Sequence, residues 1–303
     1  MIKDCYFCWA SDFSKETGEG QLARLFIERN YSFLNTRIFT PKSINTKKKN
    51  LNNFFKYKYV SPFIGIIICW FFFLKKKKTI YINYLPLWNF LIFLLLPPKT
   101  ILGPITGGSL HNSKNIIRKF IFPLFYFVSK ILIYLRYKKL YFTTDLLKKY
   151  FNQNFINKNH FNYVLNKIKK KEIKMKKDID FIIYYRQHKN KIHNFPYNLI
   201  KKIKSFGLKI HVVGHRLNIT GVYNHGYKKN YLVQKLLARS RYSICSQENL
   251  FSFFTIECIN HNVKLLADNS FKDPKIKFYK KFNFINFKND KLFYKKFLEN
   301  SFI

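Results

Sequence analysis

Short runs rich in β-branched and aromatic residues alternate with longer runs of helical period along nearly the whole chain, and that alternation leaves few folds open. The first half opens with an apolar strand over Asp4–Ala10, a polar Gly-containing turn, and a helix over Gly20–Arg29. Strands follow at Thr79–Asn83 and Thr100–Leu102, with helices over Ile64–Leu74, Leu87–Leu96 and Ile116–Leu135 between and after them. A short strand over Lys139–Thr143 precedes a helix capped by Thr144 or Asp145. From Phe151 to Lys177 the composition shifts to Asn and Lys, without a Gly or Pro turn or clear periodicity, as an interdomain region would. Alternation then resumes: strand Phe181–Tyr185, helix Tyr197–Phe206, strand Lys209–Gly214, helix Tyr231–Arg239, strand Tyr242–Cys245, helix Phe253–Asn260 and strand Val263–Asp268. Strands separated by helices must pair in parallel, since each helix carries the chain back across a sheet face. The expected fold class is therefore α/β, with two Rossmann-like domains facing across a cleft. The domains are expected at residues 1–165 and 166–303, with ligands outside the carboxyl ends of the strands. A chain of 303 residues accommodates two such cores.

The charge balance speaks to partners rather than fold. Lys and Arg number 56 against 15 Asp and Glu, a net +41 that draws polyanions: nucleic acid, anionic lipid or phosphorylated substrates. Lys, Asn, Ile, Phe and Tyr share A/T-rich codons, so part of the excess is compositional. Its corollary is that a carboxylate within an apolar stretch has a task, because acids are scarce here. The 19% aromatic content would also suit a basic nucleic-acid-binding protein without enzymatic activity. The aromatics lie in core-like runs, however, and no RRM, KH, helix-turn-helix or zinc signature is present, so no specific nucleic acid is expected as a partner.

The cysteines, Cys5, Cys8, Cys69, Cys245 and Cys258, are scattered in apolar surroundings and suit a reducing compartment with buried thiols. The C-x-x-C spacing of Cys5 and Cys8 falls inside an apolar strand, CYFCWA, and no second pair follows at zinc spacing. No secretory signal is evident in MIKDCYFCWASDF, so the cytosol is the expected compartment. The longest apolar run, Val60–Leu74, is too short to span a bilayer and is followed by Lys75–Lys78. With the basic, aromatic stretch Ile116–Lys139, this predicts peripheral attachment to an anionic membrane surface, on the inner face of the cell membrane.

Chemistry concentrates in the second half. The strand FIIYY runs into RQHKNK, which puts Arg186 and Lys191 on a loop at a strand's carboxyl end, where two fixed cations suit a diphosphate. A solvated basic loop is the plainer reading of the same residues. Farther on, in ICSQENLFSFFTIECINHNVKLLAD, Glu257 lies within FFTIECI, where a carboxylate needs hydrogen-bond donors such as sugar hydroxyls. The alternative is a Glu on the exposed side of an amphipathic helix. None of the histidines has H-E-x-x-H or similar metal-ligand spacing. His111, after the GPITGG turn, is a candidate acceptor-side base, with a satisfied structural histidine as the alternative.

These segments resemble the donor-binding region of retaining GT-B glycosyltransferases, the "group 1" family, whose motif runs approximately S-x-x-E-G-F-G-x-x-x-x-E-A-x-x-x-G-x-P-V. Ser246, Phe251, Glu257, Cys258 and Val263–Leu266 fall in similar places. The family's first motif glutamate aligns with Asn249, preceded by Glu248, and its flanking glycines are Leu250 and Ser252. Arg186 and Lys191 resemble its G-R-L-x-x-x-K-G loop, Gly214 and Gly226 its later glycines, and TGEGQLARLF its first Gly-rich loop. The resemblance implies GT-B architecture, with an acceptor-binding first domain and a nucleotide-sugar-binding second one. Glu257 would hold the nucleotide ribose, with Glu248, Asn249, Gly214 and Gly226 also in the donor site. Arg186 and Lys191 would neutralise the departing diphosphate, so no metal and no cofactor is expected beyond the nucleotide-sugar co-substrate. Gly18 and Gly20 would bring backbone amides close to phosphate or acceptor groups. Together with the expected membrane attachment, it points to a lipid-linked or cell-surface glycan of the polysaccharide or lipopolysaccharide kind as the expected acceptor.

Overall fold

The computed structural model describes residues 5–15, 17–31, 33–41, 60–83, 85–105, 116–137, 139–143, 151–152, 154, 162–163, 175–187, 195–245, 252–272 and 280–287. The chain divides into two compact units, Met1–Lys167 and Ile168–Ile303.

Unit 1 begins with β1 (Tyr6–Ala10), α1 (Gly18–Asn30) and β2 (Thr36–Phe39), then α2 (Ser61–Leu74), β3 (Lys78–Ile82) and α3 (Phe90–Leu95). It continues with β4 (Ile101–Leu102), β5 (Pro104–Ile105), α4 (Ile116–Arg136), β6 (Tyr141–Phe142) and β7 (Asn162–Tyr163). The strands form two parallel ladders, β2-β1-β3-β4 and β5-β6-β7, with only Gly103 separating β4 from β5. Side chains alternate across β1 and β3 as a pleated strand requires. Cys8, Ala10, Ile80 and Ile82 pack with Ala23, Phe26 and Ile27 of α1, whereas Trp9 and Tyr81 pack on the opposite face with Ile66 and Cys69 of α2. Both sheet faces are therefore covered, which explains why these strands read as continuous apolar runs. Burying a side chain of this size contributes about 1.5–3 kcal/mol, so β1 and β3 are the anchors of the unit. α4 is tied to α3 because Arg136 donates through Nη2 to Leu96 O at 2.6 Å and through Nη1 to Phe93 O at 3.1 Å. The cation thereby meets carbonyls left open at the end of α3.

Unit 2 contains β8 (Ile179–Tyr185), α5 (Tyr197–Ser205), β9 (Ile210–Gly214), β10 (Tyr223–Asn224), α6 (Asn230–Arg239), β11 (Ser240–Ile244), α7 (Phe253–Asn260), β12 (Lys264–Asp268) and β13 (Phe282–Ile285). One parallel sheet in the order β10-β9-β8-β11-β12-β13 holds all six strands. In chain order this is 3-2-1-4-5-6, the doubly wound dinucleotide-binding arrangement, with its switch point between β8 and β11. Phe181 and Ile183 pack with Leu199, Ile200 and Ile203 of α5, and Tyr184, on the alternate face, stacks on Phe254 of α7 with ring centroids 5.5 Å apart. Both units are thus Rossmann-like and parallel, the α/β fold class expected from the sequence.

The differences from expectation are local. Strands β2, β5, β7, β10 and β13 were not anticipated, since pieces of two to four residues such as TRIF or YN carry too little periodicity to register. The Asn/Lys-rich stretch is not wholly a connector: Phe151 is buried against Tyr134 and Phe142, and β7 pairs with β6 inside unit 1. Cys5 is exposed rather than buried, because the strand begins at Tyr6, while Cys8, Cys69, Cys245 and Cys258 are buried free thiols. The expected helix opening at Thr144 or Asp145 lies outside the described residues. No helix among the described residues is long and apolar enough to cross a membrane.

An acid-sensitive pair links β9 to the segment after β10. His211 Nδ1 lies 2.9 Å from His225 Nε2, and burial, followed by the His225 neighbour, lowers the His211 pKa from 6.5 to about 4. Arg239 and Lys209 push in the same direction and Asp178 opposes them. A folded-state value below the unfolded one means that the unfolded chain binds the proton first as pH falls. The stability from this pair is therefore complete above about pH 6.5 and lost toward pH 4. Urea unfolding at pH 7 and pH 4.5 should show wild type losing about 1 kcal/mol more than His211→Gln, after allowance for solvent at this half-buried site.

Candidate functional site

The switch point of unit 2 is where adjacent loops diverge from the sheet and leave room for a ligand. β8 delivers Arg186 and Gln187 there, both exposed at the strand's carboxyl end. On the neighbouring strand Tyr185 is in register with Gly214, and His215 N donates to Tyr185 O at 2.8 Å. Gly214 has φ +100°, and a Cβ there would stand 2.3 Å from Tyr185 O, so the sharp exit from β9 requires glycine. Gly214 N also donates to Gly226 O at 3.1 Å, which folds the segment after β10 back over the same edge.

This backbone assembles groups that the sequence reading did not single out. His215 Nδ1 accepts from Gln187 N at 3.2 Å and lies 2.9 Å from Tyr227 Oη. A backbone N–H can only donate, so Nδ1 is the acceptor and the ring proton sits on Nε2. Tyr184 is held above its ordinary pKa, first by burial and then by neighbouring Tyr227, while nearby Arg186 pulls it down. Those couplings, with the Tyr184–Phe254 stack, bring Arg186, Tyr227, His215 and the first turn of α7 to one mouth. The α7 N-terminus is formed by Ser252, whose Oγ accepts from Thr255 N at 3.2 Å. Helix N-termini carry unpaired N–H groups and a positive dipole end, which favour an anion. The sequence signal for His215 and Tyr227 was the pair of glycines one residue before each.

Glu257 lies in the second turn of α7, its carboxylate 4.0 Å from His261 Nε2. Burial first, then Lys177, lowers the His261 pKa, so that ring is neutral at pH 7 and the contact is not an ion pair there. Lys177 Nζ donates to Ser240 O at 2.8 Å and to His261 O at 3.0 Å, so His261 belongs to the amino edge of the sheet, opposite Arg186. Gly226 (φ +69°) ends the fold-back beside Tyr227. Lys191, Glu248, Asn249 and His111 lie outside the described residues. Burial holds the Cys245 thiol up at about 12 and raises Cys258, so neither is a thiolate nucleophile. Among the described residues no group of three His, Cys, Asp or Glu side chains is placed to hold a metal ion.

Unit 1 has an edge of the same kind between β1 and β3. Asp12 Oδ1 accepts from Ser14 N at 2.9 Å, Thr17 Oγ1 donates to Asp12 Oδ2, and the Thr17 hydroxyl caps α1 by accepting from Gly20 N at 2.9 Å. Gly18 opens the helix and Gly20 is buried in its first turn, where a Cβ would lie 2.3 Å from Ser14 O. Its lack of a side chain lets helix and loop touch. Buried Asn83 follows β3, donates to Glu19 O at 2.9 Å, and leaves Oδ1 without a hydrogen-bond partner.

No protein-family model matches the chain, and no curated protein matches it in sequence. Among solved structures it is similar to the E. coli heptosyltransferase WaaC with ADP, at 8% identity over 98% of this chain and 98% of that one, with a TM-score of 0.37. It is similar to Anabaena Alr3699/HepE in complex with UDP-glucose at 9% identity, over 87% of this chain and 80% of that one, with a TM-score of 0.47. A UDP-N-acetylglucosamine 2-epimerase is matched at 9% identity over 98% and 87%, with a TM-score of 0.46. At these identities the likeness is one of fold alone.

Proposed function

We propose that this protein is a GT-B glycosyltransferase that binds a nucleotide-sugar at the carboxyl edge of the unit 2 sheet and transfers the sugar to a lipid-linked or cell-surface glycan. The observation that carries the reading is the β8/β11 switch point of a six-stranded 3-2-1-4-5-6 sheet, with Arg186 at the end of β8 and the α7 N-terminus beside it. A cation and a helix N-terminus on one mouth suit a diphosphate. In this reading Arg186, with Lys191, stabilises the negative charge that grows on the diphosphate as its bond to the sugar breaks. His215 donates through Nε2–H to the donor's oxygens, with Tyr227 holding its ring in place, Glu248, Asn249, Gly214 and Gly226 line the donor site, and Glu257, one turn of α7 nearer the carboxyl edge than His261, holds ribose hydroxyls. The acceptor hydroxyl is met at the edge of unit 1 containing Gly18 and Gly20, where Asp12 is a carboxylate able to take its proton. The reading needs no metal. It places the protein in the cytoplasm, on the inner face of an anionic membrane that carries the acceptor.

A thermal-shift screen with UDP, GDP, CMP and their sugars tests the donor site, since a ligand that binds only the native state raises its stability by mass action. One nucleotide family should raise Tm by several degrees, with about 2.7 kcal/mol gained at a hundredfold excess over Kd. A uniform lack of shift, together with tight, steeply salt-dependent binding of RNA or DNA, would instead establish a nucleic-acid-binding protein.

A further inference from the structure

Three helices of unit 1 turn apolar stripes outward, and we propose that these form one surface by which the protein docks on an anionic lipid bilayer. On α2, Ile67, Phe71 and Leu74 are exposed at spacings of four and three, Ile67 to 67% and Leu74 to 73%. The same helix buries Ile66 and Cys69 against the sheet, so it is apolar on both its inner and outer sides. On α4, Leu124, Phe127 and Ile131 repeat the pattern outward while Tyr126, Ser129 and Ile133 are buried. Leu91 and Leu94 do so on α3. A helix on a water-facing surface normally turns charged and polar residues outward, so three outward apolar stripes call for a non-aqueous neighbour.

The stripes adjoin one another. Trp70 Nε1 on α2 donates to Leu95 O on α3 at 2.7 Å, Tyr137 Oη after α4 donates to Phe93 O at 2.8 Å, and Trp88 stacks on Phe122 of α4 with centroids 5.2 Å apart. α3 therefore bridges α2 and α4.

Charge selects the occupant. No Asp or Glu stands between Glu28 and Asp145, the span that contains all three helices, and exposed Lys75, Lys76 and Lys77 follow α2 directly. A second copy of a chain at +41 would be repelled by this face, whereas acidic headgroups around an apolar interior match its lysines and its stripes together. Since no described helix is long and apolar enough to cross the bilayer, the side chains enter only the headgroup and upper acyl region. This surface deepens the membrane partner of the proposed function and rests on that reading for its biological purpose. Its test involves no sugar transfer, so either idea can fail without the other.

The tryptophans supply the probe. Trp9 is fully buried in the core, whereas Trp70 and Trp88 are partly exposed on the proposed face. The full chain is mixed with vesicles of phosphatidylglycerol and brominated phosphatidylcholine, and fluorescence quenching is compared with that of Ile67→Glu and Leu124→Glu chains. Wild type should be quenched by these vesicles and not by pure brominated phosphatidylcholine. Each substitution should weaken partitioning at least about tenfold at low salt, by removing an inserted side chain and adding a charge the headgroups repel. The wild-type measurement stands even if a variant folds poorly, which circular dichroism reports. Sedimentation with vesicles without quenching would overturn the proposal, because the lysines alone would then hold the protein. Lipid-free, concentration-dependent self-association that either substitution abolishes would also overturn it, in favour of a second copy on this face.

Discussion

Replacing Arg186 by alanine should lower kcat about a hundredfold to a thousandfold while leaving KM nearly unchanged. Arg186 is exposed at the end of β8, where a fixed cation gains most when the leaving diphosphate acquires charge, and that charge develops in the transition state rather than in the bound donor. Arg186→Lys should restore part of the rate, since it keeps the charge and loses the two-pronged guanidinium. Glu257→Ala should behave in the opposite way, raising KM with kcat retained, because ribose hydroxyls are held alike before and during bond breaking. Steady-state kinetics with the nucleotide-sugar found by thermal shift separates the two patterns. Unchanged kcat and KM in the Arg186→Ala enzyme would remove that residue from the mechanism.

Gly214→Val should cost about 3 kcal/mol or more of stability and abolish donor binding with it. The first carbon of any side chain there meets Tyr185 O at 2.3 Å, on the backbone of the central strand, and φ +100° is a conformation that L residues rarely adopt. Relief would require β8 and β9 to separate at their carboxyl ends, where His215 N bonds to Tyr185 O. Even Gly214→Ala should be strongly destabilising, whereas Gly207→Ala, also at positive φ but with open space around it, should cost only the backbone strain of about 1–2 kcal/mol. Urea unfolding of the three variants gives the ranking. Equal losses at Gly214 and Gly207 would show that strain alone, and not the close approach, makes Gly214 necessary.

Much of the architecture was legible because strong local patterns and tertiary demands coincide. FIIYY, KIHVVG and VKLLAD bury most of their residues, so their apolar character survives any reading of the chain, and a helix around Phe253–Asn260 was anticipated. Arg186 was legible for a related reason: a residue directly after a central parallel strand has nowhere to lie but the carboxyl edge. The order of the strands was not legible, since pattern shows that strands exist and not which are neighbours. The switch point between β8 and β11 therefore belongs to the tertiary structure.

The sequence by itself determined the parallel α/β class and the scarcity of acids, because period and composition are properties of the chain before it folds. The tertiary structure alone decided that His215 and Tyr227 meet behind Gln187 and that the Glu257 carboxylate lies beside His261. It also decided that the apolar runs of three helices face outward as well as inward, which no pattern can reveal when both sides of a helix are apolar. Such arrangements depend on hydrogen bonds and packing between segments far apart in sequence, and local pattern carries no term for them.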